Sequence, residues 1–248
     1  MGGAGKNLIL ITRPLVEARA FAEDVKGIGF DAMIEPMLAI VPKAYPPVDF
    51  DRYAGLIFTS VHAVRVFGCP DAARLMPVFA VGDHTARAAR DLGYDIVYSA
   101  GGDGGDLAEL LQLKTAAVSN QGIFLHICGT HTGFPLAEVL RCNGIMVDAL
   151  IVYEAEAATC LTDFCLAALE AGDVRAVTFF SKRTAENFVQ LARDAGVISS
   201  LSGIKALCIS PAVLESVRSV SWGEAYAATR PDRVSMIELI RAACHQNL

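Results

Sequence analysis

Small hydroxyl residues and glycines recur at the ends of expected strands, directly before expected helices. The six positions are Thr12-Arg13, Thr59-Ser60, Gly82-Asp83-His84-Thr85, Gly129-Thr130, Ser181-Lys182-Arg183 and Ser210-Pro211. A helix N-terminus carries free backbone N–H groups and the positive end of the helix dipole, so several of them together would bind a ligand with many carboxylates or phosphates. The competing interpretation is that each Ser or Thr is an ordinary N-cap. Six such positions in one chain favour a polyanion site.

A glycine-rich segment at 101–106 stands between an expected strand and an expected helix and could cradle a phosphate. Its glycine spacing is not that of the dinucleotide-binding fingerprint. The pattern favours a turn capped by Asp106. A phosphosugar or nucleotide enzyme that uses this loop stays open as a hypothesis.

Metal and nucleophile chemistry finds no support in the sequence. The histidines are not paired with carboxylates at metal-ligand spacing; they are His62, His84, His126, His131 and His245. The chain has no Walker sequence, no His-Glu-x-x-His and no Gly-x-Ser-x-Gly. Seven cysteines, odd in number and without a Cys-x-x-Cys pair, favour reduced core thiols. We therefore predict no metal site.

Short apolar runs of strand length alternate with segments of helical periodicity, which is typical of parallel sheets covered by helices. The expected strands cover 8–12, 32–41, 56–60, 78–82, 96–100, 123–128, 148–155, 177–181, 206–210 and 225–229. Their nearly continuous hydrophobicity indicates burial on both faces. The fold class is therefore α/β.

Two expected strands, 32–41 and 148–155, are longer than one buried strand needs. They could be places where the chain crosses between domains. A weak internal duplication supports two similar domains, because Ile57-Phe58-Thr59-Ser60 resembles Phe179-Phe180-Ser181. If both segments are crossings, a discontinuous first α/β domain comprises 1–37 and 154–248. A second, inserted α/β domain then comprises 38–153.

Charge and hydropathy exclude several classes of function. The 248 residues are 53% hydrophobic and carry a formal net charge of −6, which indicates a packed protein and disfavours nucleic-acid binding. The mean hydropathy is +0.42, yet no run of about 20 apolar residues occurs. The N-terminus also lacks the pattern of a signal peptide. We expect a cytoplasmic protein with no membrane contact and, because no apolar heptad demands a partner, a monomer.

Four further motifs matter for their order and spacing. They are Ile11-Thr12-Arg13-Pro14, Ile57-Phe58-Thr59-Ser60 with Ala63-Val64, Val81-Gly82-x-x-Thr85-Ala86-x-Ala88-Ala89 ending at Gly93-Tyr94, and Ile151-Val152-Tyr153-Glu154. Taken together, over essentially the whole length, they resemble the uroporphyrinogen-III synthase family. The resemblance implies two similar doubly wound α/β domains with a cleft between them and a two-stranded connector. It also implies that both ends of the chain form the first domain.

The resemblance implies a reaction as well. The linear tetrapyrrole hydroxymethylbilane loses its terminal hydroxyl, ring D is inverted through a spiro intermediate, and the macrocycle closes as uroporphyrinogen III in haem and porphyrin biosynthesis. Such an enzyme is a cyclising hydro-lyase and needs no cofactor and no metal. Without it the reactive azafulvene closes to the symmetric isomer I, so positioning carries most of the task. The eight carboxylates of this substrate suit the polyanion site.

By motif position, Tyr153 is the expected catalytic residue, a proton donor to the departing hydroxyl. A phenol with a pKa near 10 stays protonated at neutral pH and can donate. The competing interpretation is a strand tyrosine packed between domains. The resemblance implies these substrate-binding residues: Thr12, Arg13, Thr59, Ser60, Thr85, Ser181 and Lys205. Arg13 could instead brace the site through an ion pair, and Lys205 could simply be solvated.

Two departures from the family pattern leave an alternative open. Where relatives read Ile-Gly-Pro-x-Thr-Ala, this chain has Ile-Ser-Pro-Ala-Val-Leu at 209–214, so Val213 replaces a hydroxyl residue, and Gly133 replaces a basic one. The alternative is a non-catalytic two-domain binding module for a tetrapyrrole or another polycarboxylate. An enzyme could also make transient contact with hydroxymethylbilane synthase, which supplies the short-lived substrate.

Overall fold

The computed structural model describes residues 7–116, 122–132 and 134–244. The chain divides into two compact units. Unit 1 consists of Met1–Ala39 with Glu156–Leu248, and unit 2 of Ile40–Ala155. Unit 1 is therefore assembled from two separate stretches of sequence, and unit 2 is inserted between them.

The helices and strands alternate along most of the chain. The strands are β1 (Leu8–Ile11), β2 (Asp31–Ile34), β3 (Leu38–Pro42), β4 (Tyr53–Phe58), β5 (Val78–Ala80), β6 (Val97–Ser99), β7 (Ile123–Gly129), β8 (Val147–Ala157), β9 (Val174–Phe179), β10 (Lys205–Cys208) and β11 (Glu224–Ala227). The helices are α1 (Leu15–Gly27), α2 (Val61–Phe67), α3 (Asp83–Asp91), α4 (Gly104–Ala116), α5 (Leu136–Cys142), α6 (Asp163–Ala171), α7 (Lys182–Asp194), α8 (Pro211–Val217) and α9 (Arg233–Cys244). Within the described range 7–116, β2, β3 and β4 follow one another with no α-helix between them.

The sheet of unit 1 has the strand order β11-β10-β9-β1-β2, and its strand pairs are parallel. The chain moves from β1 to β2 in one direction and from β9 to β11 in the other. Because parallel crossovers are right-handed, α1 lies on one face and α7 and α8 on the opposite face. The strand order reverses between β1 and β9, which makes this the topological switch point of unit 1.

The sheet of unit 2 has the order β3-β8-β7-β4-β5-β6, with parallel pairing from β8 through β6. An apolar cluster lies on each face: Val64 and Phe67 of α2 belong to one, Leu107 and Leu111 of α4 to the other. The switch point of unit 2 lies between β4 and β7. In open α/β sheets, ligands bind beyond the carboxyl ends of the strands at such a point.

Residues 32–41, predicted as one strand, form two, because β2 pairs in unit 1 and β3 in unit 2. Hydrogen bonds within unit 1 fix the chain at the break between β2 and β3. The buried Glu35 carboxylate accepts from the Thr162 N–H at 2.8 Å and the Thr162 hydroxyl at 2.7 Å. The Asn187 side-chain amide donates to Met37 O and Ala158 O, both at 3.1 Å. These bonds hold the two segments that leave unit 1 next to each other.

The predicted α/β class with parallel sheets is confirmed. Central strands are buried on both faces, as their continuous hydrophobicity indicated; Ile9, Leu10 and Ile11 are fully buried. In the ranges that the structure describes, no helix is both long and apolar enough to cross a membrane.

Candidate active site

Three strands of unit 2 deliver polar side chains to its switch point. Thr59 and Ser60 directly follow β4, and Gly129 ends β7 with Thr130 after it. Tyr153 lies within the longer strand β8, but it is the register partner of Gly129 and is therefore level with the end of β7. The sequence places these residues at one edge because parallel strands end there together.

The Tyr153 hydroxyl donates a hydrogen bond to Ser60 Oγ at 3.2 Å. Ser60 is the N-cap of α2, and its Oγ also accepts from the His62 backbone N–H at 3.1 Å. A hydroxyl has two acceptor sites and one donor, so Ser60 keeps its proton for another acceptor. The His62 ring packs edge-on against the Tyr153 ring with 6.0 Å between centroids. Tyr153 is only 8% exposed, and its phenol is held in one place.

Gly129 makes room for the Tyr153 ring. A Cβ at position 129 would lie 2.5 Å from Tyr153 Cζ, which is closer than non-bonded carbons approach. The Thr130 N–H donates to Tyr153 O at 3.0 Å, and the Thr130 hydroxyl reaches the same oxygen at 3.3 Å. The glycine at the end of β7 is therefore a packing requirement of the tyrosine.

Thr59 pairs with a buried histidine. Its Oγ1 lies 3.0 Å from His126 Nε2, and His126 on β7 is only 4% exposed. Burial lowers the pKa of His126 from 6.5 to about 4, because desolvation disfavours the imidazolium. The imidazole is therefore neutral at pH 7.

Thr85 lies in the first turn of α3, after β5, the strand next to β4. Its side chain is buried, at 6% exposure. Gly82, the N-cap of α3, has no side chain to cap the helix. Of the unit 2 residues expected to bind substrate, Thr59 and Ser60 are linked most directly to Tyr153, through the Tyr153–Ser60 bond and the shared end of β4.

Thr12, which the motif led us to expect at the substrate, lies inside the sheet of unit 1. It is fully buried, and its hydroxyl donates to Thr178 O at 2.7 Å. Thr178 returns a bond from its own hydroxyl to Leu10 O at 3.2 Å. The two threonines thus join β1 to β9, and the Thr12 proton is used inside the sheet.

Arg13 lies at the switch point of unit 1, and its guanidinium stacks over the Phe180 ring, with Cζ 4.0 Å from the centroid. Such a cation–π contact fixes the guanidinium plane, and the N–H groups at the edge of a guanidinium are the ones that bind carboxylates. Phe180 itself packs edge-on against Phe21 at 5.0 Å. Ser181 follows as the N-cap of α7, where its Oγ accepts from the Thr184 N–H at 3.2 Å.

Lys205, also expected to bind substrate, likewise uses its polar atoms within the protein. It begins β10, so it lies at the amino ends of the strands, opposite the edge that carries Arg13 and Ser181. Its ammonium donates to Ala243 O at 2.7 Å and pairs with Glu224 at 2.5 Å. Lys205 therefore ties β10 to β11 and α9.

Two carboxylates of the glycine-rich loop at 101–106 accept hydrogen bonds from backbone amides of the same loop. Asp103 Oδ1 accepts from the Gly105 N–H at 2.7 Å, and Asp106 Oδ2 accepts from the Asp103 N–H at 2.8 Å. This reciprocal arrangement caps α4 with carboxylates, which repel a phosphate. The geometry supports the capped turn rather than a phosphate cradle.

Other candidates add little. Within the described ranges, no group of three His, Cys, Asp or Glu side chains could hold a metal ion. All seven cysteines are free thiols, and burial raises the pKa of Cys165 and Cys208 to about 12. Val213 is a core residue at 5% exposure, so the position of the missing hydroxyl faces apolar packing. Gly133 and His245 lie outside the described residues.

Two residues next to the candidate positions, one in each unit, could not be identified from the sequence. One is His126, which the sequence presents as an ordinary core or loop histidine, although a single imidazole within the apolar run Ile123-Phe124-Leu125-His126-Ile127 is itself a signal. The other is Phe180, which the sequence shows only as part of an internal duplication. Its role as the surface beneath Arg13 depends on the pairing of β1 with β9.

The fold and the site together define a class: an α/β protein of two parallel-sheet units, with a held phenol and hydroxyls at one switch point and a stacked guanidinium at the other. Comparisons with known proteins identify the family within this class. Residues 19–238 match the sequence profile of the family described as Uroporphyrinogen-III synthase HemD. The chain belongs to the uroporphyrinogen-III synthase family, and this membership supports a synthase role in tetrapyrrole biosynthesis.

Two solved structures share the fold. The crystal structure of uroporphyrinogen-III synthetase from Helicobacter pylori has 17% sequence identity and a TM-score of 0.61, covering 95% of this chain and 99% of that one. A mutant uroporphyrinogen III synthase from Thermus thermophilus has 19% identity and a TM-score of 0.56, covering 97% of this chain and 99% of that one. At these identities the similarity concerns the fold.

Proposed function

We propose that this protein cyclises hydroxymethylbilane to uroporphyrinogen III, with inversion of ring D and loss of water. The observation that carries the proposal is the Tyr153 hydroxyl, which is held 3.2 Å from Ser60 Oγ at the switch point of unit 2 in a chain of the synthase family. Tyr153 is the catalytic residue of the proposal.

The step assigned to Tyr153 is proton donation. As the C–O bond to the terminal hydroxyl breaks, the phenol proton transfers to the departing oxygen, and water leaves. The cationic azafulvene that remains beside the tyrosinate is attacked by a carbon of ring D, which leads to the spiro intermediate and ring closure. The proton that the closed macrocycle loses as its last pyrrole regains aromaticity returns to the tyrosinate oxygen, so the net change is the loss of one water. In the free protein the phenol proton points to Ser60, so the proposal requires it to turn to the substrate when substrate is bound.

Each unit has its own groups that suit a carboxylate: neutral hydroxyls in unit 2 and a guanidinium in unit 1. Ser60 has a proton to donate after accepting from Tyr153 and His62, and Thr59 and Thr85 add hydroxyls near the same edge. In unit 1, the Arg13 guanidinium over the Phe180 ring supplies the positive charge. The Ser181 hydroxyl lies 3.0 Å from Thr184 Oγ1 and accepts from the Thr184 N–H, so it caps α7. Thr12 and Lys205 are left out because their polar atoms bind within the protein.

To test this, purified protein is supplied with hydroxymethylbilane that is made enzymatically in the same vessel. The products are then oxidised, and porphyrin isomers I and III are separated by chromatography. We expect isomer III to dominate in proportion to protein concentration. Tyr153→Phe should lower kcat by about 100-fold, the scale of general acid catalysis, with little change in unfolding temperature. Unchanged turnover in this variant would show that Tyr153 is not the proton donor.

The alternative of a non-catalytic binding module predicts a different result from the same assay. Folded protein would yield only isomer I, while uroporphyrin III, the oxidised octacarboxylate product, would bind stoichiometrically in a titration. Monomeric state, cytoplasmic location, independence from cofactors and transient contact with hydroxymethylbilane synthase remain predictions. Size-exclusion chromatography with and without that enzyme tests two of them.

A further inference from the structure

His126 is an isolated polar residue in the centre of the unit 2 sheet. It lies on β7, where its register partners are Ile57 on β4 and Ala149 on β8. Burying an imidazole costs free energy unless it is hydrogen-bonded. Its hydrogen-bond partner is Thr59, which directly follows β4, with 3.0 Å between Thr59 Oγ1 and His126 Nε2. Thr59 belongs to the proposed carboxylate site.

The direction of this bond decides what Thr59 offers to a ligand. A neutral imidazole carries one proton, on either Nε2 or Nδ1. If Nε2 carries it, the imidazole donates to Thr59 Oγ1, and the threonine proton is free to point outward. If Nδ1 carries it, Thr59 donates to His126 and presents a lone pair outward, which repels a carboxylate.

We propose that His126 is a positioning residue that donates its Nε2 proton to Thr59 Oγ1 and thereby directs the Thr59 hydroxyl proton toward a carboxylate of the substrate. The inference rests on the proposed function, because it assumes a polycarboxylate at the switch point of unit 2. His126 does not touch the ligand and contributes no charge. It fixes the direction of one hydrogen bond.

The kinetic consequence is specific. A carboxylate bond that forms equally in the ground state and the transition state changes KM and leaves kcat unchanged. His126→Leu fills the space without a donor, and Thr59→Val removes the hydroxyl at nearly the same shape. We expect each variant to raise KM about tenfold, the scale of a hydrogen bond to a charged group. His126→Gln, which brings a side-chain N–H to a similar position, should recover most of the affinity.

A double variant separates positioning from simple support of the core. If His126 acts through Thr59, adding His126→Leu to Thr59→Val causes no further rise in KM. Additive effects, or a fall in kcat instead of a rise in KM, would overturn the inference. Because His126→Leu could also disturb the core, the wild-type protein with 13C,15N-labelled histidine provides a second measurement: its NMR shifts must show the Nε2-protonated form.

Direct binding distinguishes this inference from the proposed function. Titration of uroporphyrin III into the same variants reports carboxylate binding without any turnover. If wild-type protein binds uroporphyrin III but forms no isomer III, the proposed reaction fails while the variants still test His126. If it binds uroporphyrin III as tightly after His126→Leu as before, or if the imidazole is protonated on Nδ1 in the complex, the positioning role is wrong.

Discussion

At the switch point of unit 2, β4 and β7 lead to neutral hydroxyls and a phenol, whereas at the switch point of unit 1, β1 and β9 lead to a guanidinium on an aromatic ring. Both points arise from the same topology, a parallel sheet whose strand order reverses. The threonines at the two strand ends differ most: Thr59 faces the edge of the sheet, and Thr12 is buried between strands. A shared fold therefore supplies two equivalent places without dictating their chemistry.

This comparison suggests a division of tasks. Unit 2 would carry the proton donor and the directional bonds, and unit 1 would anchor negative charge through Arg13. Two substitutions test the division and a third tests the burial of His126 in unit 2; we give them from the largest expected effect to the smallest.

Gly129→Ala should lower kcat by about 100-fold, although residue 129 has no side chain of its own to take part. The new Cβ would lie 2.5 Å from Tyr153 Cζ, so the ring must move, and a displacement of about 1 Å is enough for such a loss. The matched control is Gly27→Ala, because a Cβ there meets nothing within 4 Å. Steady-state kinetics of isomer III formation measure both. Normal kcat in Gly129→Ala would show that the exact place of the phenol is unimportant.

The stability of the protein should fall on acidification because of His126 in unit 2. The unfolded chain binds a proton near pH 6.5, and the folded protein only near pH 4, so protons favour unfolding between these values. At pH 5 the loss amounts to about 2 kcal/mol relative to neutral pH, from the linkage of the two pKa values.

The measurement compares urea unfolding of wild type and His126→Gln at about pH 7.5 and pH 5, followed by far-ultraviolet circular dichroism. Both proteins share the titration of all other groups, so the difference between their profiles isolates the imidazole. The variant should lose about 2 kcal/mol less than wild type on acidification. Parallel profiles would mean that the imidazole is not desolvated in solution.

Arg13→Met in unit 1 should raise KM about tenfold with kcat unchanged, because an anchoring charge acts equally before and during the reaction. The salt dependence of KM should weaken as well. Thr12→Val is the matched control next to it: it loses the bond to Thr178 O and about 1 kcal/mol of stability, but KM should stay the same. A fall in kcat after Arg13→Met would contradict the proposed division of tasks between the units.

Much of this architecture could be anticipated from the sequence, since apolar runs that alternate with helical segments define parallel α/β sheets. Thr59 and Ser60 lie at a sheet edge because they follow a buried strand. The burial of Thr12 could not be anticipated, because it depends on Thr178, 166 residues away in the sequence. Lys205 was assigned by motif position alone, and its bonds to Ala243 O and Glu224 depend on the pairing of β10 with β11 and on α9, which the local sequence does not show.

The pairing of β1 with β9 also has a consequence for how the protein is made. Translation delivers β1 early, yet its neighbour on one side arrives only after the whole of unit 2 has been synthesised. Domains fold as units during synthesis, so unit 2 can be complete on the ribosome while β1 still exposes an unpaired edge. Exposed edges of this kind recruit other chains. The nascent protein is therefore most exposed to aggregation before β9 emerges, and a circular permutant that opens at a boundary between the units, after Ala39 or after Ala155, would shorten this period.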